Sequence, residues 1–242
     1  MDPSVRSAFY HKYATTHAGN YTVHTLPPIF ASQIRPHLPP PGSSVLDLGC
    51  GQGALVRLLN DRGFVARGID ASSEQVALAQ QIAPGAVEEA DVFDFLAQPR
   101  SAFDAILAMD LLEHLTREEV LRVLAAVGSA LRAGGVFIAR MPNAGSPLGA
   151  LYQFGDLTHE TAFSPRSFRQ VCAAAGLGDV HCFPCKPGVH GLKSMGRQLV
   201  LRLGHGMIKV LCVAETGSLR GHIVTANFIG VAKARLSSGA DA

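Results

Sequence analysis

The chain has 242 residues, 48% of them apolar and 17% charged, with a net charge of +2. That length and balance describe a folded domain with a sizeable core and exclude a disordered chain. The charge is too small to point to a nucleic-acid partner, and no run of about 18 uncharged apolar residues is present to span a membrane.

The most apolar stretch, 195–214, is interrupted by Arg197, Arg202, His205 and Lys209. No N-terminal stretch has the basic-then-apolar layout of a secretory signal. Five scattered cysteines fit reduced thiols in a cytoplasm better than a disulfide framework. Cys182 and Cys185 form a CxxC pair. No second pair at zinc-ligand spacing accompanies it, and it does not open a thioredoxin-like helix, so it reads as structural.

Residues 1–40 read as a lead-in arm, with a short helix near 4–14 and a Pro-rich break at 36–42. A single domain is expected over 41–235. "SVLDLG" is a buried strand. "GALVRLLNDRG" is a helix with Leu55, Leu58 and Leu59 on one face and Gly63 past its end. "FVARGID" is a second strand. "SSEQVALAQQIA" is a helix with Ser72 as its cap and Gln75 at capping-box spacing. "GAVEEAD" and "FDAILAMD" are the third and fourth strands. In "TREEVLRVLAAVGSALRAGG", Thr116 and Glu119 have capping-box spacing, and Val120, Leu124, Val127 and Leu131 form one apolar stripe. Gly134 and Gly135 are expected to stop this helix. "GVFIARMP" is a fifth strand. "SPRSFRQVCAAAG" is a helix capped by Ser164 with Pro165 in its first turn. "GDVHCFPC" and "GHIVTANFIGVAKA" are two late strands. The tail, 236–242, is expected to be disordered. Strand and helix alternate, so the fold class is α/β: a doubly wound, Rossmann-like parallel sheet with helices on both faces.

The turn after the first strand, "DLGCGQG", decides the chemistry. Gly49, Gly51 and Ala54 satisfy a loose dinucleotide pattern, and Asp70 ends the next strand where a ribose-binding acid belongs. Asp47 argues for another ligand. A pyrophosphate beside that carboxylate would be repelled. S-adenosylmethionine carries a sulfonium and an ammonium and no phosphate, so an acidic turn suits it.

"DLGCGQG", "GID" at 68–70, "ADVFDF" at 90–95, "FDAILAMDLLEHL" at 103–115 and "LRAGGVFIARMPN" at 131–143 occur in one order and spacing. Together they resemble class I S-adenosylmethionine-dependent methyltransferases over roughly 40–235. The resemblance implies a seven-stranded sheet whose last strand is antiparallel. It implies that Asp47, Gly49 and Gly51 face the methionine end of the cofactor, with Cys50, Gln52 and Ala71 in the same set. It further implies that Asp70 accepts hydrogen bonds from the ribose hydroxyls, that Asp91 meets the adenine amino group, that Val92 packs near the adenine ring, and that Met109 lies near adenine or the sulfonium. S-adenosylhomocysteine would be the product.

Methyl transfer to a hydroxyl calls for a general base. Ligands bind outside the carboxyl ends of an open parallel sheet, so candidates follow the fourth and fifth strands. His114 lies in "EH" at 113–114. His159 lies in the acceptor loop, 143–163, with Asp156 and Glu160 beside it to orient the ring or raise its basicity. Asp156, His159, Glu160, Glu113 and His114 could hold Mg²⁺ or Mn²⁺, but no spacing within one element fixes such a site, and no metal is assigned.

"FYHKYATTHAG", "GDLTHETAFSPRSFRQ", "HGLKS", "AETG" and "IVTANFIGVAK" resemble a branch of bacterial methyltransferases found with polysaccharide and O-antigen enzymes. That implies O-methylation of a sugar or glycan hydroxyl. A quinone, phenol or secondary-metabolite acceptor is the alternative, distinguished by an apolar pocket. A non-catalytic cofactor-binding regulator and a dehydrogenase are the remaining alternatives. The segment 186–222 is a helical insertion, able to act as a capping helix, a substrate lid, a homodimer face or an interfacial helix, with lid or dimer favoured over membrane contact. Tyr10, Tyr13 and His17 are candidates to close over the cofactor.

Overall fold

The computed structural model describes residues 26–98, 102–186, 192–218 and 221–235. The helix expected near 4–14, with Tyr10, Tyr13 and His17, and the tail 236–242 lie outside the described residues.

Seven strands form one sheet: β1 (Ser44–Leu48), β2 (Val65–Asp70), β3 (Val87–Glu89), β4 (Phe103–Met109), β5 (Leu131–Pro142), β6 (Gly178–Pro184) and β7 (Asn227–Lys233). Their order is β3-β2-β1-β4-β5-β7-β6. The first five run parallel, and β7 is antiparallel to both of its neighbours. The helices are α1 (Leu26–Ile29), α2 (Ala54–Asn60), α3 (Ser73–Ile82), α4 (Val92–Ala97), α5 (Arg117–Ala130), α6 (Ala150–Gln153), α7 (Pro165–Ala174) and α8 (Leu192–Thr216).

The sheet separates two cores, and strand alternation decides which side chain enters which. In β4, Ile106 and Ala108 join Phe137, Phe168 and Phe228 on one face. Ala105 and Leu107 join Leu55, Leu59 and Val76 on the other. The stripe of α5 is buried throughout: Val120, Leu124 and Val127, with Leu131 just beyond. Its capping box is formed, the Thr116 hydroxyl accepting from the Glu119 N–H and the Glu119 carboxylate from the Thr116 N–H.

Two expectations change. The part of the expected arm at 26–38 packs one face into the core and leaves Ala31, Ser32 and Pro36 exposed. Leu26, Phe30, Ile34 and Leu38 recur every four residues and all are buried in the cluster that holds Val45 and Leu59. The helix expected to run to Gly134 ends at Ala130, because Leu131 pairs with Phe103 and opens β5.

Gly230 in β7 lets α7 lie close to the sheet. A Cβ there would run into the ring of Phe168, a fully buried residue of α7. Gly230→Ala is expected to destabilise the fold by about 1–3 kcal/mol through overpacking, read by urea unfolding.

Candidate active site

The strand order reverses between β1 and β4, and in such sheets the ligand crevice opens there, at the carboxyl ends. The glycine turn lies at this point. Gly49, Gly51 and Gly53 have φ of +66°, +52° and +74°, a region closed to most side chains. A Cβ on Gly51 would meet open space, so the backbone itself faces the crevice. Gly53 is wedged: its Cβ would lie 3.2 Å from Ala79 and 3.3 Å from Val87.

Asp47 is buried, and its Oδ1 finds no hydrogen-bond donor among the described residues. Burial, then the charge of Asp70, push its carboxyl up to about 8. An unpartnered buried carboxyl is costly and fits a site that receives a cation. Asp70 is half-buried at the end of β2. Its Oδ2 accepts the Gly51 N–H at 2.8 Å and its Oδ1 accepts the Ser72 N–H at 2.9 Å. Burial raises its carboxyl and these two bonds draw it back down. The expected ribose acid therefore also holds the turn in place, and each oxygen keeps a second lone pair for a hydroxyl. These two acids fit a sulfonium and an ammonium, which would draw Asp47 into its ionised form, better than they fit a pyrophosphate, which would keep it protonated. Burial and both of these acids push the Cys50 thiol up, so it stays protonated.

These groups predict a proton count. A ligand cation favours the ionised Asp47, so binding of S-adenosylhomocysteine near pH 7 should release a proton. Affinity should rise with pH toward 8, by up to about tenfold per unit. Calorimetry in two buffers of different ionisation heat measures the release, and Asp47→Asn should abolish it. For the free protein the sign is opposite. The native state keeps a proton that the unfolded chain loses above its ordinary 3.8, so this group's contribution to stability falls as pH rises toward 8.

The remaining cofactor candidates lie along the same rim. Gln52 is half-buried in the turn, and Ala71 is exposed just after β2. Asp91 caps α4, its Oδ1 accepting from the N–H groups of Phe93 (2.8 Å) and Asp94 (3.3 Å). Any contact with adenine shares the carboxylate with this cap. Val92 opens α4 and Met109 ends β4, both half-buried.

The second half of the site follows β4. Leu111 touches the glycine turn, its Cδ1 lying 3.1 Å from where a Cβ on Gly49 would be. Leu112, Glu113 and His114 form a buried 3-10 turn. His114 Nδ1 lies 2.8 Å from Thr158 Oγ1, and the Thr158 hydroxyl donates to Asp156 Oδ1 at 2.6 Å. His159 Nδ1 lies 3.1 Å from the Gln153 carbonyl oxygen. The two imidazoles meet edge to face, centroids 4.7 Å apart. The bonds assign the protons. Thr158 gives its own proton to Asp156, so it accepts one from His114 Nδ1. The Gln153 carbonyl likewise requires a proton on His159 Nδ1. Each ring is left with Nε2 as its basic nitrogen.

Asp156 and Glu160 were expected to orient His159. The Gln153 carbonyl does so instead. Asp156 comes no closer than 4.0 Å to His159 Nε2 and spends its short bonds on Thr158. Glu160 is exposed, and its N–H, with that of Thr161, bonds the Glu113 carbonyl oxygen at 2.8 and 3.0 Å. Those bonds tie the acceptor loop to the turn after β4. Asn143, fully buried, ties the start of the same loop to the approach to β7, donating to the carbonyls of Ile223 and Thr225.

Two features go beyond what the sequence indicated. Asp110, just past β4, has φ +59° and is held by Arg140, whose Nε donates to its Oδ1 at 2.8 Å. The only signal was a lone arginine inside the apolar run of β5. Glu113, read before only as a metal ligand, is 1% exposed, and neither carboxylate oxygen has a donor among the described residues. Burial, and to a lesser degree the charge of Asp156, push it up to about 8. Glu113, His114 and His159 each present a ligand atom within 4.8 Å of the others, so this set could hold a divalent ion. Cys182 and Cys185 are free thiols, Cys185 donating to Gln33 Oε1 at 2.8 Å, in keeping with a structural role.

A family model described as a methyltransferase domain matches residues 24–182. The chain belongs to the class I S-adenosylmethionine-dependent methyltransferases. This methyltransferase is 32% identical over 172 residues to the ubiquinone biosynthesis O-methyltransferase of Chromobacterium violaceum, a match covering 64% of this chain and 73% of that protein. It is 30% identical over 118 residues to the protein of the same name from Xanthomonas campestris, where it spans about half of the relative, 48%, and 47% of itself. A crystal structure of a methyltransferase from Archaeoglobus fulgidus superposes with a TM-score of 0.67 at 17% identity, covering 93% of this chain and 99% of that one. At that identity the likeness is one of fold. S-adenosylmethionine is the cofactor of this family, and the unpartnered Asp47 and open Gly51 backbone fit it. No helix among the described residues is long and apolar enough to cross a membrane.

Proposed function

We propose that this methyltransferase acts on a hydroxyl oxygen of a phenol- or quinol-type ring. The observation that carries the reading is the pair of imidazoles, each with Nε2 as its basic nitrogen, beside a glycine turn whose acids suit a cationic cofactor. When bound, S-adenosylmethionine supplies a methyl group on a positively charged sulfur, already a good leaving group. Asp47 would face its ammonium and Asp70 its ribose hydroxyls. His159, at the less enclosed edge of the cluster, would take the hydroxyl proton on Nε2. His114, held by Thr158 and Asp156, would support that ring edge to face. A phenol ionises near pH 10, so a neutral imidazole is better matched to it than to an aliphatic sugar hydroxyl.

The acceptor loop supports the same choice. Leu151, Phe154 and Leu157 are 73%, 84% and 76% exposed, an apolar rim that suits a lipophilic ring better than a sugar. The relatives named above carry ubiquinone biosynthesis in their names. The sugar reading retains the resemblance of the outer segments and is weakened by this rim. The test is transfer of labelled methyl to a panel of catechols and quinol precursors set against nucleotide-sugars and glycans. Labelling of the sugar panel alone would sink the proposal.

A second reading concerns the base. The unpartnered Glu113 carboxylate, with His114 and His159, favours a bound divalent ion that lowers the acceptor's pKa. Loss of turnover on chelation, restored by Mg²⁺ or Mn²⁺, would support it. Full turnover in chelator leaves the imidazole as the base.

A further inference from the structure

The helix α8 carries its apolar stripe on the wrong side for a packing helix. It runs 25 residues, and none of its described side chains is buried. Ser194, Gln198, Leu201, His205 and Ile208 form the half-buried side. On the outer side Leu199, Val200, Leu203, Met207, Val210 and Leu211 are 60–71% exposed. Leu199, Leu203, Met207 and Leu211 recur every four residues, so these side chains make one continuous stripe. Arg202 and Lys209 border one edge of it and Arg197 the other, all three exposed. Glycines at 196, 204 and 206 weaken the helix, and none of them meets a neighbour that requires a glycine. A helix of this kind gains little from the domain beneath it and much from whatever covers the stripe.

Charge chooses the occupant. Along α8 the four cations Lys193, Arg197, Arg202 and Lys209 stand against one acid, Glu215, at its C-terminal end. A second copy is a poor match. In an antiparallel pair centred on Leu203, the two-fold axis sets the Arg202 side chains of the two copies side by side along one edge, so like charges meet there. Anionic headgroups reverse the sign of that interaction. The helix is not apolar enough to cross a bilayer, so it would lie along one.

We propose that α8 docks this methyltransferase on an anionic lipid surface, its stripe in the acyl boundary and its arginines and lysines among the headgroups. This reverses the earlier preference for a lid or dimer face, because the stripe points away from the domain. A lipid-dissolved acceptor would thereby be brought to the enzyme. The inference does not rest on the acceptor reading, since vesicle binding needs neither cofactor nor acceptor.

The test is co-sedimentation of the full chain with vesicles of phosphatidylglycerol and phosphatidylcholine, against pure phosphatidylcholine, at low and high salt. Binding to the anionic vesicles is expected, weakened at least about tenfold on neutral vesicles or in high salt. The Leu203→Glu, Met207→Glu double variant should lose about a hundredfold, roughly tenfold for each apolar side chain no longer buried. The Arg197→Gln, Arg202→Gln, Lys209→Gln triple variant should lose a similar factor on anionic vesicles alone. Both variants should keep the wild-type affinity for S-adenosylhomocysteine, which shows that they fold. No binding to anionic vesicles overturns the proposal. So does equal binding to neutral ones, or a wild-type dimer in sedimentation that Met207→Glu dissociates, which would give the stripe to a second copy.

Discussion

Asp70→Ala is expected to weaken binding of S-adenosylhomocysteine by more than about a hundredfold. The carboxylate does two jobs. It accepts the N–H groups of Gly51 and Ser72, so it holds the glycine turn against the start of α3. Its remaining lone pairs would accept from two ribose hydroxyls in the reading proposed above. A hydrogen bond to a charged group contributes about 1.5–3 kcal/mol, and two lost from the ligand alone account for the hundredfold. The loosened turn adds to it, because Gly51 presents its backbone only while that N–H is held. Asp70→Asn should fall between wild type and Ala, since its amide oxygen can replace one acceptor and its NH2 group cannot replace the other. Isothermal titration measures both. An alanine variant within tenfold of wild type would remove Asp70 from the ribose site.

His159→Ala is expected to lower kcat by about 10²–10⁴ while leaving cofactor affinity within about twofold. The imidazole stands outside the glycine turn, so the loss should fall on the proton transfer and not on cofactor binding. A supporting variant separates base from scaffold. Thr158→Val removes the hydroxyl between His114 and Asp156 and leaves His159 with its Gln153 carbonyl. It should shift the pH profile of kcat and lower its maximum less than His159→Ala does. Equal and large losses in both would mean that His114, not His159, takes the proton. An unchanged kcat in His159→Ala would count against both His159 as the base and the ion site that it shares with Glu113, leaving His114 as the surviving base.

What the sequence determined by itself was local. The strand, turn and helix at 44–60 are written in contiguous residues, because the glycines need left-handed φ values where only glycine is comfortable. Thr116 with Glu119, and Ser164 with Ser167, bond across three residues, so their caps follow from spacing alone. The acid at 47 pointed to the cofactor class from its place in the turn, whereas only its burial in the fold tells that it holds a proton before the ligand binds. Tertiary structure decided the rest. Leu26 to Leu38 read as an arm until the far face of the sheet covered them. Leu131 fits the helical stripe and the strand equally well, and pairing with Phe103, 28 positions earlier in the numbering, settled it. His114 meets Thr158 across 44 residues, and Arg140 meets Asp110 across 30. Periodicity finds the apolar stripe of α8, but only the packed domain tells which side faces outward. Hydrogen bonds between neighbours in sequence are legible from the residues that make them. Contacts that depend on how distant elements pack become legible only when the chain has folded.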